Sequence, residues 1–178
     1  SAFRRCKRKW YLGTYRRMGK RAPELAMSSL HIGNTVHDAL AAYYADGVDP
    51  VGFALGAIDV EAGKYPEQGS DFEKEAALVK AMLEGYVEWL GETGADADLI
   101  IEGTESRVEV RLADGIKLLS KLDAPVRRIS DGAKLALEHK TVGALNQPLP
   151  MLKLDTQLLT EHLARFLHAR EEGATTEE

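Results

Sequence analysis

The sequence predicts a mixed α/β domain of the α+β kind, with a helical N-terminal half, a short run of strands and one further helix. Apolar residues recur at helical spacing up to about residue 95, and from residue 99 their period changes to two. The chain has 178 residues, of which 44% are apolar, a normal length and composition for one folded domain. We therefore expect a single domain over residues 1–178, with residues 1–95 mainly helical and residues 96–172 holding the strands and the last helix.

Four segments of the N-terminal half predict helices. The first is "SAFRRCKRKWYLGTY", the second is "MSSLHIGNTVHDALAAYYADG", which should end at Gly47, and the third, "DPVGFALGAIDVEAGKY", is weakened by its glycines. The fourth, "SDFEKEAALVKAMLEGYVEWLGETG", has the clearest apolar stripe, and Ser70 or Asp71 is expected to cap it. Its predicted core-facing residues are Leu78, Met82, Tyr86 and Trp89 or Leu90.

Residues 99–140 predict three strands joined by two turns. "LIIEGTESRVEVRL" alternates Val108, Val110 and Leu112 on one face, and the "ADG" that follows is a turn signal. "IKLLSKLDAPVRRI" and "AKLALEHK" then form the expected antiparallel hairpin around "SDG". A last helix is expected from about residue 150 to residue 169.

The expected hairpin brings charged side chains together. Glu138 and Lys140 are two residues apart and share a face, whereas His139 points to the other face and is given no role. Pairing outward from the turn puts position 124 opposite Glu138, so Asp123 should lie beside Glu138 within about one residue of register. Two carboxylates and an ammonium at one end of a sheet cost free energy unless a cation holds them. A cation site is one interpretation, and a structural ion-pair cluster is the other.

Charge is distributed unevenly along the chain. The net charge is −5, yet the first 21 residues carry nine Lys or Arg and no acid, with aromatic residues among them. Such a segment suits a polyphosphate backbone with stackable bases, and a solvated helix whose aromatic residues pack inward is the alternative. The predicted DNA-binding residues are Arg4, Arg5, Lys7, Arg8, Trp10 and Tyr11.

The composition argues against several classes of protein. No apolar run approaches the ~18 residues that a membrane span requires, and the start of the chain lacks the apolar core of a signal peptide. The single cysteine, Cys6, excludes an internal disulfide and cannot by itself build a zinc or iron–sulfur site. We therefore expect a cytoplasmic protein with no membrane partner.

Five sequence elements follow one another in a characteristic order. The start "SAFRRCKRKWYLGTY" is followed by Gly33 to His37 in "GNTVHDAL", by Glu105 in "ESRVEV", by Asp123 with "EHKT" after fourteen intervening residues, and by Gln157 in "LDTQLL". This order, over residues 1 to about 165, resembles the PD-(D/E)XK nuclease superfamily and, more narrowly, its RecB-type exonuclease branch. The Asp-x14-Glu-x-Lys spacing alone is a weak signal, and the order of all five elements is more specific.

The resemblance implies a restriction-endonuclease-like core, in which helices flank a short mixed sheet. It also implies that the protein is a metal-dependent DNA nuclease that hydrolyses phosphodiester bonds. It further implies an exonuclease in recombination, repair or phage DNA processing, in a bacterium or a phage-infected cell. DNA is the expected partner, and a recombination or replication protein is a candidate second one. A nucleic-acid-binding module of the same fold that has lost turnover is the alternative. Relatives that hold an iron–sulfur cluster use four cysteines, so no cluster is expected here.

The resemblance also implies a role for each matching residue. The expected ligands of Mg²⁺ or Mn²⁺ are His37, Asp123, Glu138 and, through water, Glu105. Lys140 would orient or deprotonate the attacking water, or stabilise charge on the phosphate oxygens. Gln157 would position Lys140, the nucleophile or a phosphate oxygen. The expected catalytic residues are thus Asp123, Glu138, Lys140 and Gln157.

Overall fold

The computed structural model of the chain describes residues 6–16 and 26–142 and, near the C-terminus, residues 159–160, 163–164 and 166–168. Helices come first, strands follow, and the described residues near the C-terminus are helical again. The predicted mixed α/β class and its order of elements are confirmed. None of the described helices is both long enough and apolar enough to cross a membrane.

The helices have the following bounds: α1 spans Lys7–Trp10 and continues as a π-helical turn over Tyr11–Tyr15, α2 spans Ser29–Asp46, α3 spans Pro50–Lys64 and α4 spans Gly69–Thr93. Ser28 caps α2 by accepting a hydrogen bond from the amide of His31. Gly47 ends α2 with a φ of 68°, as its sequence predicted. The prediction that Ser70 or Asp71 caps α4 is wrong by two or three residues: Gln68 is the N-cap residue, because a 3₁₀ turn over Pro66–Gln68 leads directly into the helix.

The three long helices pack on one another around an apolar core. On α4 the buried line runs through Phe72, Glu75, Val79 and Leu83, so the predicted stripe is rotated by about one position. Leu78, which was predicted to face the core, is 42% exposed. Of the two alternatives at the end of the stripe, Leu90 is buried and Trp89 is 47% exposed. The apolar pattern misplaced the stripe because a carboxylate, Glu75, occupies one of its positions. The core residues are Ala26, Val36, Ala39, Leu40, Ala54, Ile58, Phe72, Val79 and Leu83, with Met82 and Tyr86 packed against them.

Glu75 is buried because it is paired. Its side chain accepts a hydrogen bond of 2.5 Å from the amide of Met27 and pairs with the imidazole of His31. The amide of Ala26 donates to the side chain of Gln68 in the same region. These contacts fix the start of α2 against the start of α4 and offset the cost of burying the carboxylate.

The strands form two small sheets. Their bounds are β1 Leu99–Ile101, β2 Ser106–Ala113, β3 Ile116–Leu122, β4 Ala124–Arg128 and β5 Lys134–Leu137. One sheet has the order β1-β4-β5 and the other consists of β2 and β3. Every strand pairing within the described residues is antiparallel, which differs from the mixed sheet that the sequence analysis expected.

The strand predicted over "IKLLSKLDAPVRRI" is broken in two at Asp123. β3 pairs with β2, whereas β4 pairs with β1 and β5. The β4–β5 register puts Ala124 opposite Leu137, one residue away from the predicted partner, because the turn is centred between Ser130 and Asp131. The alternating pattern continues on both sides of the break, so it does not reveal the change of sheet.

The β2–β3 hairpin packs its inner face on the helical residues near the C-terminus. Val108, Val110 and Leu122 are buried with Ala164. Leu112 was predicted to share this face but is 49% exposed, because the register shifts between Arg111 and Ala113.

Candidate active site

Asp123 lies at the junction of the two small sheets. β3 ends at Leu122 and β4 begins at Ala124, so the chain changes sheets at this residue. The carbonyl of Asp123 accepts a hydrogen bond of 2.7 Å from the amide of Glu105, the residue before β2. Glu105 has a φ of 51°, in the left-handed region that few non-glycine residues occupy. The hydrogen bond helps to hold this bend and places the two acidic residues side by side.

His37 reaches Asp123 from α2. Its Nδ1 atom lies 3.2 Å from Oδ1 of Asp123. Gly33 lies one turn earlier on the same face of the helix, and a Cβ atom at this position would come within 3.3 Å of the hydroxyl oxygen of Thr141. The glycine therefore allows α2 to approach the segment that follows β5, and this approach brings His37 to the sheet junction.

Three of the four predicted metal ligands come together. His37, Glu105 and Asp123 each offer one ligand atom, and these atoms all lie within 4.8 Å of one another. All three residues are half-buried, and they come from a helix, the entry to β2 and the β3–β4 break. They line a cleft of about 980 Å³. We call these three residues the His37 cluster.

Glu138 and Lys140 line the same cleft, just after β5. The carboxylate of Glu138 is near enough to His37 to act on its pKa, but it is not within 4.8 Å of all the atoms of the His37 cluster. The fourth predicted ligand is therefore in the cleft and outside the cluster. The predicted catalytic residue Gln157 lies outside the described residues.

Hydrogen bonds and burial change the pKa values of the cluster. The hydrogen bond with Asp123 raises the pKa of His37 above 6.5, burial opposes this increase, and the charges of Asp123, Glu138 and Asp38 add to it. Burial alone would raise the pKa of Asp123, but the hydrogen bonds from His37 and from the amide of His139 outweigh burial and lower it. Asp123 is therefore ionised at neutral pH.

His139 has a place in the site that the alternation of the strand did not predict. Its amide donates a hydrogen bond of 2.8 Å to Oδ2 of Asp123, and its Nδ1 lies 3.8 Å from the same oxygen. Its Nε2 lies 3.0 Å from the hydroxyl of Tyr86, which lies 2.7 Å from the hydroxyl of Tyr44. Burial lowers the pKa of His139, so the ring is neutral at pH 7. The expectation that His139 points away from the site is therefore wrong, because its contacts link the helical core to Asp123.

Lys121 is a second residue that the sequence analysis missed. Its ammonium group forms an ion pair with Oε2 of Glu105. This buried oxygen makes no directed hydrogen bond within the described part of the chain, so Lys121 neutralises it by charge alone. Lys121 also lines the cleft. The β2–β3 register determines this contact, and only the paired strands reveal it.

The basic start is described in part. Arg4 and Arg5 lie outside the described residues, whereas Lys7 and Arg8 are exposed and Trp10 is half-buried. The ring of Tyr11 stacks on that of Tyr15, with centroids 5.5 Å apart, and the two side chains are 44% and 69% exposed. These two tyrosines therefore do not pack inward, in contrast to the alternative of a simple solvated helix.

Comparison with known proteins gives one match. The family model of the PD-(D/E)XK nuclease superfamily matches residues 1–172. No curated protein and no solved structure matches the chain. Nucleases of this superfamily act on nucleic acids and use divalent metal ions, and the helices and short sheets described above are consistent with their restriction-endonuclease-like fold. Because the match covers nearly the whole sequence, the chain belongs to the PD-(D/E)XK nuclease superfamily.

Proposed function

We propose that the chain is a Mg²⁺- or Mn²⁺-dependent DNA nuclease of the RecB-type branch that acts as an exonuclease in recombination, repair or phage DNA processing. The observation that carries the proposal is the His37 cluster, which sets one imidazole and two carboxylates within 4.8 Å of one another in an open cleft. The branch and the exonuclease activity are supported by the order of the five sequence elements, from the basic start to Gln157.

The residues present fit a hard divalent cation. Two carboxylates and one imidazole in a water-accessible cleft suit Mg²⁺ or Mn²⁺ better than a closed structural zinc site. Within the described residues, the ammonium of Lys121 is the counter-charge of the Glu105 carboxylate, so a cation bound by Glu105 would take the place of that ammonium. Such a cation supplies polarisation of the scissile phosphate and a lower pKa of the attacking water.

The side chains of the cleft would divide the remaining tasks. Asp123, held ionised by its hydrogen bonds, and neutral His37 would bind the cation together with Glu105. Glu138 would join them if the segment after β5 moved towards the cluster. Lys140 would orient or deprotonate the attacking water or hold a phosphate oxygen from the cleft wall, and Gln157 would position it.

A nucleic-acid-binding module that has lost turnover is the second candidate. The position of Glu138 favours it, because this carboxylate stands outside the His37 cluster. A site with an incomplete set of ligands could bind nucleic acid without hydrolysing it.

Incubation with end-labelled single- and double-stranded DNA distinguishes the two candidates. We expect digestion with Mg²⁺ or Mn²⁺, none in EDTA, and binding without turnover in Ca²⁺, whose looser coordination shell positions water poorly. A covalently closed circular DNA serves as the control for end dependence, since an exonuclease leaves it intact. Robust cutting in EDTA would refute the metal mechanism, and metal binding by an inactive protein would favour the binding module.

A further inference from the structure

The outer face of the β2–β3 hairpin carries two pairs of like-charged residues. Arg107 lies directly opposite Lys121, which we call the inner pair, and Arg111 lies opposite Lys117, which we call the outer pair. All four side chains are exposed. Like charges at directly opposed positions destabilise an antiparallel pairing. The hairpin therefore retains two cation pairs that its own folding does not favour.

The inner and outer pairs differ in the carboxylates that neutralise them. Lys121 lines the cleft and pairs with Glu105, which belongs to the His37 cluster. A cation bound by Glu105 would therefore remove the counter-charge of Lys121, whereas the outer pair would keep its own carboxylates. The ion pairs of the outer pair are Arg111–Asp114 and Lys117–Glu109.

We propose that the inner pair is a phosphate-binding site at the mouth of the cleft, in which Lys121 exchanges Glu105 for a phosphodiester group of the nucleic acid once a divalent cation is bound. The inference rests on the proposed metal centre, to which it adds a substrate contact and a coupling between metal and substrate.

The geometry of the inner pair suits a phosphate. Directly opposed residues of an antiparallel pair have Cβ atoms roughly 5 Å apart, so both side chains can reach one phosphate group. Arginine offers a planar fork of donors that matches two phosphate oxygens, and lysine adds a compact charge. A bound phosphate also relieves the repulsion between the two cations. Because Lys121 lines the cleft, the phosphate would lie next to the His37 cluster.

The exchange couples the two ligands. Before metal binds, the ammonium of Lys121 pairs with Glu105 and so opposes the binding of a cation there. Once the cation is bound, the same ammonium is available to the phosphate. The cation and the nucleic acid therefore strengthen each other's binding. Thermodynamic linkage requires the factor to be the same in both directions.

Lys117→Ala is the matched control for Lys121→Ala. Both lysines are on the same face of β3, both are exposed, and both pair with a glutamate on the β2 side of the hairpin. Only Lys121 has a partner in the His37 cluster. Isothermal calorimetry would give the Ca²⁺ affinity of each protein without DNA. Fluorescence anisotropy of a labelled oligonucleotide, with and without Ca²⁺ over a range of salt concentrations, would give the coupling.

We expect Lys121→Ala to bind Ca²⁺ about two- to fivefold more tightly without DNA, the scale of one exposed ion pair. Its oligonucleotide affinity in Ca²⁺ should fall, and the slope of log affinity against log salt should decrease by about 0.7–0.9, the value for one lost phosphate contact. The factor by which Ca²⁺ strengthens DNA binding should decrease as well. Lys117→Ala should match the parent in Ca²⁺ affinity and in this factor.

Two results would overturn the inference, and they differ in meaning. A parent protein that binds neither Ca²⁺ nor Mn²⁺ would refute the metal centre and the exchange with it. A parent that binds Ca²⁺, with a Lys121→Ala variant indistinguishable from Lys117→Ala, would refute the exchange alone. Both lysine side chains are more than half exposed, so each variant should fold, which far-UV circular dichroism would verify.

Discussion

Lys140 is exposed on the wall of the cleft that holds the His37 cluster. An exposed ammonium contributes little to stability, so Lys140→Ala should melt close to the parent temperature. If the ammonium acts on the attacking water or the phosphate oxygens, the single-turnover rate should fall about 100-fold or more while Mn²⁺ affinity is unchanged. Quench-flow cleavage, calorimetry and melting curves on the same variant would measure these three quantities.

The control for this variant is Lys134→Ala, which removes an exposed lysine of β5 that is not among the residues lining the cleft. It should keep the parent rate. The structural ion-pair interpretation makes the opposite prediction for Lys140→Ala, a loss of about 3–5 kcal/mol in stability with no loss of rate in the folded fraction. That outcome would end the catalytic assignment of Lys140.

Protonation of His37 should compete with metal binding, because only the neutral imidazole offers a lone pair. Its pKa is raised above 6.5 by the hydrogen bond with Asp123, so Mn²⁺ affinity should decrease as the pH falls through this raised value. The stability of the metal-free protein should change in the opposite direction and increase as the pH falls. The His37–Asp123 interaction stabilises it fully below pH 6.5, and the contribution is lost as the pH rises through the folded-state pKa.

The pKa values of two other groups of the site change in the downward direction. The pKa of Asp123 is lowered, so this carboxylate is ionised in both folded and unfolded protein, and burial lowers the pKa of His139. Calorimetric titration with Mn²⁺ between about pH 6 and pH 8.5 brackets the usual range of histidine. His37→Gln should abolish most of the pH dependence. A parent affinity that is constant over the range would exclude His37 as a ligand.

At the scale of elements, hydrogen bonds connect two helices to the segment after β5. Tyr44 on α2 and Tyr86 on α4 form a chain of hydroxyl groups that ends on Nε2 of His139. If Tyr86 donates to Nε2, the imidazole proton is on Nδ1, which faces Asp123. The chain would then fix the orientation of the ring and, through the amide of His139, the position of the Asp123 carboxylate.

Tyr86→Phe should therefore weaken Mn²⁺ binding by about tenfold, the usual effect of losing a residue that orients a ligand. Tyr43→Phe is the control, since Tyr43 contacts the ring of Tyr44 but its hydroxyl is not in the chain. Calorimetry would measure the metal affinity and ¹⁵N NMR the tautomer of His139. Equal Mn²⁺ affinities for the two variants would show that the chain supports only the packing.

The packing of α2 on the segment after β5 gives a prediction about Gly33. Alanine in a helix interior is normally more stable than glycine by about 0.5–1 kcal/mol, and Gly56→Ala in α3, where a Cβ meets no atom within 4 Å, should show this gain. Gly33→Ala should not, because its Cβ would lie 3.3 Å from the hydroxyl oxygen of Thr141. Adding Thr141→Ala should restore the gain. Chemical denaturation of the three variants would test this, and an equal gain at Gly33 and Gly56 would show that the approach is not tight.

The sequence predicted helices better than strand partners. Ser28 and Gly47 bound α2 through local chemistry that a single segment contains. The break at Asp123 depends on which strands lie on either side, and alternation reports the face of a residue, not its partner. The resemblance anticipated the meeting of His37, Glu105 and Asp123. It could not reveal Lys121 or Tyr86, because their contacts follow from the hairpin register and the helix packing.

At the scale of the whole molecule, the uneven distribution of charge along the chain determines where a nucleic acid can bind. The net charge of −5 opposes a polyanion. Nine of the 23 basic residues lie in the first 21 positions with no acid, which leaves 14 basic against 28 acidic groups in the rest of the chain. Binding of a polyphosphate should therefore depend on this basic start and on the cations at the mouth of the cleft.

Replacing Arg4, Arg5, Lys7 and Arg8 by Ala should weaken DNA binding and flatten its dependence on salt. Each lost phosphate contact lowers the slope of log affinity against log salt by about 0.7–0.9, so loss of all four would lower it by roughly 3. Metal affinity should be unchanged, because Lys7 and Arg8, the two of these residues that the structure describes, are not among the residues lining the cleft. Fluorescence anisotropy in Ca²⁺ at several salt concentrations would measure the slope.

The matched control removes the same amount of charge elsewhere, at four exposed lysines that already have carboxylate partners. These are Lys64, Lys74, Lys80 and Lys117. Both quadruple variants make the net charge more negative by four, so any uniform effect of net charge affects them equally. Only a direct phosphate contact lowers the slope in one variant and not in the other. Equal slopes in both would show that the basic start solvates a helix, and DNA would then have to bind through the inner pair and the cleft.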